Sequence, residues 1–278
     1  MFINKPRKTS CNKVMLFTNA RDESNIDEWI SHHFLLGFDK IFIFDHLSKI
    51  PITAPKFNGR LVIYNCGKYN YKTTQNVKID FMKRAVNVAL KNNIDWMLYI
   101  DADEYLCINN NTNIKRFLAN FSQADMIGIN WLMFGSNNYI EQPNGLLVEN
   151  FTKSDIYLNK HVKSFVRPEC VTDIINPHFY CIRNRSRYLN SFKFQIPYGP
   201  FNDMPIPFFK SPIYIAHYYV QSENEYKKRK GRIMDNGSIV NIPSNEEIHN
   251  MHNVTDNHQL RCKYSDNIKT FLSRYFKK

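Results

Sequence analysis

The chain lacks the sequence features that mark several common protein classes. Its six cysteines, in 278 residues, include no C-x-x-C pair, which excludes zinc ribbons and thioredoxin-like redox motifs. Only nine residues are glycine, and no G-x-G-x-x-G or Walker-type loop occurs, which disfavours standard dinucleotide-binding and P-loop folds. No apolar run approaches the roughly 20 residues that span a bilayer, and no signal-peptide core is present. We therefore expect a soluble protein of the cytoplasm or of a host cell's cytoplasm, without a transmembrane segment.

The composition indicates a folded protein with an anionic partner. Hydrophobic residues make up 43% of the chain and aromatic residues 14%, which is typical of a globular fold. The formal net charge of +12 fits nucleic acid, a phosphorylated small molecule or an acidic surface, and does not choose among them. The densest basic run, at 227–232, has the composition of a solvated helix face. Nucleic-acid binding is therefore the lesser alternative.

Hydrophobic periodicity predicts alternating strands and helices in the first half of the chain. Ser24 is the expected N-cap of the first helix, with Asp27 completing a weak capping box, and Gly37 is expected to end that helix. This pattern argues for a doubly wound α/β sheet. The predicted strands are 13–18, 40–44, 60–65 and a run ending at residue 100, and the second helix is predicted at about 74–93.

From about residue 124 the pattern changes to loops and short strands. Residues 125–134 are strand-like, 135–138 form a predicted turn, and 213–220 form another strand-like run. Ser222 is expected to begin a highly charged helix that continues to about Met234.

An acidic cluster follows the apolar run that ends at Ile100. Asp101, Asp103 and Glu104 place three carboxylates within four positions. Ligands of open α/β sheets bind beyond the carboxyl ends of the strands, and alternation would point Asp101 and Asp103 the same way, with Ala102 opposite. Two carboxylates that close repel each other unless a cation lies between them, so a hard divalent metal shared with substrate phosphates is the natural occupant. The alternative is a solvated acidic strand end.

Several short blocks, in order from about residue 14 to 232, resemble glycosyltransferase family 92 and its family-2-like relatives. The blocks are Asn19-Ala20-Arg21-Asp22-Glu23, Glu28-Trp29-Ile30-Ser31-His32-His33, Asp101-Ala102-Asp103-Glu104-Tyr105-Leu106, Trp131 with Phe134-Gly135-Ser136, Lys163-Ser164 with Arg167-Pro168, and His217-Tyr218-Tyr219 with Ser222 and Glu225. The resemblance implies one GT-A domain over 1–278, an α/β fold with a mostly parallel sheet. It would comprise a nucleotide-sugar half (about 13–123), a loop-rich acceptor half (about 124–235) and a C-terminal tail (236–278).

The resemblance also implies a metal centre. Asp103 is the expected direct ligand of Mn²⁺ or Mg²⁺, Asp101 would contact the metal, the ribose or both, and His217 would complete the metal shell. The ion would act as a Lewis acid on the departing nucleoside diphosphate. Glu104 would orient Asp103 or cap the next turn.

Further residues are candidates for binding the donor. Arg21 would contact the nucleotide or pyrophosphate, and Asp45 would accept hydrogen bonds from base or ribose, or else close the turn after its strand. Lys228 and Lys230 are candidate phosphate ligands, with a single contact expected. Trp131 would stack on a sugar or pack in the core. Lys78 and Arg84 would matter only at a helix end that faces the site, and Lys163 and Arg167 would bind an acceptor or brace a loop.

These residues predict a metal-dependent glycosyltransferase that moves a hexose from a nucleoside-diphosphate sugar, most readily UDP-sugar, to a hydroxyl of a glycan or protein, with inversion. Rival hypotheses are a nucleotidyl- or phosphotransferase with the same carboxylate pair, a basic nucleic-acid-binding protein, and a lectin-like protein. Sequence does not select the sugar, the acceptor, the oligomeric state or the general base. The candidates for that base are Glu141, Glu149, Asp155, Asp173 and Asp203.

Overall fold

The computed structural model describes residues 13–55, 57–66, 74–109, 112–228 and 241–276. The strands are β1 (Val14–Ala20), β2 (Lys40–His46), β3 (Leu61–Cys66), β4 (Trp96–Tyr99), β5 (Glu104–Ile108), β6 (Met126–Met133), β7 (Lys153–Ser154), β8 (Asn159–Val166), β9 (Val171–Asn176), β10 (Phe179–Ile182), β11 (Tyr188–Asn190), β12 (Ile213–His217) and β13 (Thr255–Asp256). The helices are α1 (Ile26–Leu35), α2 (Thr74–Lys91), α3 (Ile114–Ala119), α4 (Leu147–Asn150), α5 (Glu223–Lys227), α6 (Asn245–Asn250) and α7 (Gln259–Tyr275).

One nine-stranded sheet organises the described residues, in the order β3-β2-β1-β4-β8-β6-β12-β5, with β11 beside the first part of β6. Strands β1 to β4 are mutually parallel, and β6 and β12 run the same way. Only β8 and β5 run against them. The α/β class with a mostly parallel sheet is therefore confirmed, and strands from both predicted halves share this one sheet. No helix among the described residues is long and apolar enough to cross a bilayer.

The sheet orientation brings the carboxyl ends of its parallel strands to one edge, called here the carboxyl edge. It is marked by the last residues of β1, β2, β4, β6 and β12, which are Ala20, His46, Tyr99, Met133 and His217. Ligands of open α/β sheets bind at such an edge because loops from several strands meet there. Arg21 and Asp101 follow two of these strand ends, and Asp45 and His217 lie at two others.

The two faces of β1 show why the sheet is covered on both sides. Leu16 packs in the same cluster as Trp29 of α1, whereas Phe17 packs with Phe81 of α2. Successive side chains of a strand point to opposite faces, so a strand covered on both faces is apolar throughout. The continuous apolar runs in the sequence are explained by this double coverage.

Several predicted boundaries need correction. Helix α1 begins at Ile26 after Asn25, and no side chain caps it, so the capping role given to Ser24 and Asp27 is wrong. Gly37 does follow this helix, with φ of +100°, a backbone conformation that glycine adopts at little cost. Ser222 caps α5 through a hydrogen bond from the Glu225 N–H.

Two further differences concern α5 and β8. Helix α5 ends at Lys227, short of the predicted end near Met234, and residues 229–240 lie outside the described residues. The eight-residue strand β8 was not predicted, because its alternation is broken by lysines and a histidine. Its antiparallel pairing with β4 and β6 places it at the middle of the sheet.

Candidate active site

The acidic cluster forms a turn between two strands rather than the extended end of one. Strand β4 ends at Tyr99 and β5 begins at Glu104. The Glu104 N–H donates to the Asp101 carbonyl (3.1 Å), and the Asp101 N–H donates to Glu104 Oε2 (2.9 Å). The expectation that alternation aligns the two aspartates is therefore wrong, because these bonds reverse the chain. Of the two roles considered for Glu104, the structure shows that it caps the turn.

The Asp101 carboxylate binds two ammonium groups. Its Oδ1 lies 2.6 Å from the Lys78 Nζ and its Oδ2 lies 3.0 Å from the Lys163 Nζ. Lys78 is in the first turns of α2, whereas Lys163 comes from the unpredicted strand β8 and is 1% exposed. Arg84, the other cation considered on α2, pairs with Asp80 on its own helix.

The same charges set the pKa values of the two carboxyls. Burial alone would raise the pKa of Asp101, but Lys163 and Lys78 together hold it well below its usual range. Burial raises the pKa of Glu104 from 4.5 to about 7, although Lys163, with its Nζ 3.7 Å from Glu104 Oε1, opposes the change. Asp101 is therefore ionised throughout the neutral range, and Glu104 changes charge within it.

Asp103, the second aspartate of the turn, lies close to His217. The register of β5 and β12 pairs Glu104 with His217, so Asp103 lies just beyond the paired residues. Asp103 Oδ1 is 3.6 Å from His217 Nε2. His217 is 6% exposed, and its Nδ1 is buried with no hydrogen-bond partner among the described residues.

These contacts test which of the predicted ligands suit a metal ion. The described residues contain no group of three or more His, Cys, Asp or Glu side chains placed to hold one ion. The pair Asp103 and His217 fits an ion with two protein ligands, because their 3.6 Å separation is shorter than two bonds of about 2.1 Å placed end to end. Asp101 fits less well, since a lysine lies on each of its oxygens.

An aromatic cluster surrounds Trp131 beside these charges. The indole ring contacts His217 (4.5 Å between ring centroids), His161 (5.2 Å) and His178 (5.1 Å). The Lys163 Nζ lies 5.7 Å from the indole centroid. Neither His161 nor His178 stands in a sequence pattern that marks it as a site residue. No sequence spacing links these histidines, since sheet pairing and the β9–β10 hairpin bring them together.

The donor-binding candidates are placed as follows. Arg21 follows β1 at the carboxyl edge and is exposed. Asp45 is 1% exposed, and its oxygens accept the N–H groups of Ser48 (3.3 Å) and Ile52 (2.9 Å), as expected of a residue that closes a turn. Lys228 is exposed and pairs with Glu225, and Lys230 lies outside the described residues. Donor contacts by these four residues stay predictions.

The block Glu28 to His33 serves to assemble the site rather than to bind a ligand. The Trp29 Nε1–H donates to the Glu104 carbonyl (2.8 Å), and His32 Nε2 donates to the Leu106 carbonyl (2.8 Å). Both carbonyls belong to β5, which is at the edge of the sheet. Glu28 accepts the N–H groups of Leu147 and Val148 at the start of α4. Helix α1 therefore fixes both β5 and the loop that follows β6.

Four of the five candidate bases have partners elsewhere in the fold. Asp155 pairs with His252 and Asp173 with Lys83, while Glu141 accepts from Asn224 and Glu149 from Ser265. Asp203 is exposed. The geometry selects none of them as the base. Arg167 braces the chain, because its Nε donates to the Ala124 carbonyl and its guanidinium lies over Trp96.

Comparison with known families decides the assignment. The model of glycosyltransferase family 92 matches residues 8–198, which is more than half of the chain. The chain belongs to glycosyltransferase family 92. This family 92 chain resembles a family 92 protein of rice (Oryza sativa subsp. japonica), at 24% identity over 193 residues, which are 67% of the chain and 32% of the relative. A family 92 protein of Ricinus communis is 24% identical over 200 residues, 67% of the chain and 34% of the relative. The chain thus spans about a third of the length of these relatives.

Solved structures show weaker similarity. A glycosyltransferase involved in glycosylation of the major capsid of PBCV-1 superposes with a TM-score of 0.29 at 13% identity, covering 57% of this chain and 62% of that one. A cytidylyltransferase of Leptospira borgpetersenii serovar Hardjo-bovis gives a TM-score of 0.24 at 9% identity, covering 42% of this chain and 52% of that one. At these scores the superpositions carry no argument about function. His217 lies beyond the segment that the family model matches.

Proposed function

We propose that this family 92 chain is a glycosyltransferase that moves a hexose from a nucleoside-diphosphate sugar, most readily UDP-hexose, to a hydroxyl of a glycan or protein, with inversion. The observation that carries the proposal is the meeting of Asp103 and His217 at the carboxyl edge, with Oδ1 and Nε2 3.6 Å apart. Family membership supports the group-transfer chemistry. The turn between β4 and β5 lies at the edge where nucleotides bind in open α/β sheets.

The charges near the turn suit a diphosphate. Lys78 and Lys163 place two ammonium groups on Asp101, and the chain as a whole carries a formal net charge of +12. Because Asp101 is bound to both lysines, it holds their charges at the site. With Asp101 ionised, Lys78, Lys163 and Asp101 together carry one net positive charge, which would stabilise the negative charge that develops on the leaving group.

Metal dependence is part of the proposal. Asp103 and His217 would hold Mn²⁺ or Mg²⁺, with donor phosphate oxygens as further ligands, since such ions commonly bind through one or two protein groups plus substrate phosphates. The ion would supply Lewis-acid stabilisation of the leaving diphosphate. Asp101 would remain with its lysines, because an ion that bound it would have to displace one of them.

The test is UDP binding measured by calorimetry, with MnCl₂ and with EDTA, in the wild type, Asp103→Asn and His217→Leu. We expect Mn²⁺ to strengthen UDP binding to the wild type by at least roughly 10-fold, and each variant to lose most of that gain. This corresponds to about 1.4 kcal/mol of binding free energy. Asp256→Asn, which removes an exposed carboxylate that pairs with Lys153, is the matched control and should behave as the wild type.

A second measurement separates the rival reactions. Slow hydrolysis of a UDP-hexose to UDP and free hexose supports a glycosyltransferase, whereas release of pyrophosphate from a nucleoside triphosphate favours a nucleotidyltransferase. UDP binding of equal strength with Mn²⁺ and EDTA would refute the metal centre. A chain that binds no nucleotide under either condition would refute the transferase proposal.

A further inference from the structure

Two histidines beside the candidate active site have defined tautomers. His178 Nδ1 lies 3.1 Å from the Val162 carbonyl, which can only accept, so Nδ1 carries the proton. His161 Nδ1 lies 2.8 Å from Asn159 Oδ1. That oxygen also accepts the backbone N–H of His161 at 3.0 Å, so this Nδ1 is a donor as well. In each neutral ring Nε2 is then left with a lone pair and no proton.

Both Nε2 atoms are without hydrogen-bond partners in the part of the chain that the structure describes. Both side chains are partly exposed, so the lone pairs are within reach of a ligand. The ring centroids of His161 and His178 are 5.7 Å apart, and both rings pack on Trp131. Phe201 packs edge-on against His161 (4.9 Å) and is 44% exposed, which forms an apolar wall.

The charges around the two rings keep them neutral. Burial, together with Lys163 and Lys78, lowers the pKa of His178 to about 2, although Asp101 and the hydrogen bond to the Val162 carbonyl act in the opposite direction. Burial also lowers the pKa of His161, with Lys160 as the next cause and His217 and Lys163 contributing. A neutral imidazole whose Nδ1–H is already bound offers only an acceptor at Nε2.

From this arrangement we infer that His161 and His178 form a hydroxyl-binding subsite, in which their two Nε2 atoms accept hydrogen bonds from hydroxyls of a pyranose that lies against Trp131 and Phe201. This inference rests on the proposed glycosyltransferase function and extends it, because it assigns the groups that recognise the sugar. The hydroxyls belong to the donor hexose or to a sugar acceptor. The two sources present the same chemistry to the histidines.

Other ligand chemistries fit the pair less well. A carboxylate or a phosphodiester has no proton to donate at neutral pH, so two acceptors cannot bind it. An amine is protonated at neutral pH, but neither neutral imidazole carries a negative charge to pair with it, and the nearby Asp101 carboxylate is already bound to Lys78 and Lys163. A neutral hydroxyl donates without carrying charge. Aromatic faces beside polar acceptors also match a sugar, which has apolar C–H faces between its hydroxyls.

The experiment compares two double variants of the 278-residue chain. In His161→Leu/His178→Leu the acceptors are removed, whereas in His161→Gln/His178→Gln an amide oxygen can replace each Nε2. His258→Leu, an exposed histidine at the start of α7, is the matched control. Circular dichroism verifies folding. The probes are UDP, UDP-glucose and UDP-galactose with Mn²⁺ by calorimetry, and methyl glucosides and galactosides by saturation-transfer NMR.

We expect the leucine variant to lose roughly 3- to 10-fold in affinity for each hydrogen bond removed, and the glutamine variant to lose less. Weaker UDP-hexose binding with unchanged UDP binding assigns the subsite to the donor hexose. Unchanged UDP-hexose binding with loss of the methyl glycoside signal assigns it to the acceptor. Either result supports the inference.

The inference is overturned if the leucine variant binds every hexose probe as the wild type does, or if the wild type binds no hexose in either form. These outcomes differ from failure of the proposed function. If the wild type binds no UDP but its methyl glycoside signal is lost in the leucine variant, the transferase proposal fails while the hydroxyl subsite stands.

Discussion

Replacing Glu28 by glutamine should change how the stability of this protein depends on pH. Glu28 is 4% exposed, and its two oxygens accept the N–H groups of Leu147 (2.7 Å) and Val148 (3.1 Å). Burial raises its pKa from 4.5 to about 7, against these two hydrogen bonds and with a small further rise from Glu149. The folded protein therefore binds this proton more tightly than the unfolded chain does.

The direction and the size of the pH effect on the unfolding free energy follow from the difference between the Glu28 pKa in the folded and unfolded states. The stability that Glu28 contributes is fully present below pH 4.5 and is lost as the pH rises towards about 7, where Glu28 ionises in the folded state. At about 1.4 kcal/mol for each pH unit between the two values, the loss is about 3 kcal/mol. The pKa of Glu104 is raised to the same value, so this carboxyl acts in the same direction as Glu28. Buried histidines whose pKa is lowered act in the opposite direction, because their neutral folded forms add stability as the pH rises. The contribution of Glu28 is therefore read from the difference between the wild type and a variant.

The assay is the free energy of unfolding from urea titrations between pH 4.5 and 8. Relative to the wild type, Glu28→Gln should gain about 3 kcal/mol in the free energy of unfolding between pH 4.5 and 8, whatever its own stability at a single pH. Glu246→Gln, which replaces an exposed carboxyl in the first turn of α6, should keep the wild-type slope. Equal slopes in the wild type and Glu28→Gln would show that burial does not raise the Glu28 pKa, and the reasoning would be wrong.

Three further changes probe the contacts that hold the site together. Lys163→Met leaves Glu104 buried without its cation and should lower the free energy of unfolding in urea at pH 8 by about 3–5 kcal/mol. A loss below about 1 kcal/mol would contradict the ion pair. Trp29→Phe removes the donor to the Glu104 carbonyl and should cost about 1–3 kcal/mol, with faster hydrogen exchange in β5 as the specific sign. Asn130→Leu removes two hydrogen bonds to Asn202: the Asn130 side-chain amide donates to the Asn202 backbone carbonyl (2.8 Å), and the Asn202 side-chain amide donates to Asn130 Oδ1 (2.7 Å). The change should speed proteolysis within 200–204, and unchanged cleavage would argue against this role.

Much of the fold was predictable because buried parallel strands are apolar throughout and therefore stand out in the sequence. Strands β1, β2 and β6 and helix α2 lie within a few residues of their predicted ranges. The Ser24 prediction was wrong because α1 begins after Asn25, where no side chain caps the helix. Strand β8 was not predicted because polar side chains interrupt its apolar pattern, although it lies between β4 and β6 and pairs with both.

The candidate site could also be predicted only in part. Asp101, Asp103 and His217 could be selected as a group because acidic residues after an apolar run, and the family resemblance, mark them. Their partners could not, because Lys163 approaches Asp101 across 62 positions of sequence and Lys78 approaches it from another helix. The histidines around Trp131 likewise come from separate strands.

The sequence by itself determined the α/β architecture, the strand ends that meet at the carboxyl edge and the three carboxylates that follow β4, because periodicity and strand-end chemistry act over a few residues. Tertiary structure alone decided that Asp101 binds two lysines, that Asp103 faces His217, and that His161 and His178 present free lone pairs. The contacts of the two aspartates depend on how strands and helices from distant parts of the chain pack together. The lone pairs of the two histidines depend on the oxygen atoms that bind their Nδ1–H groups. Such contacts leave no local pattern in the sequence.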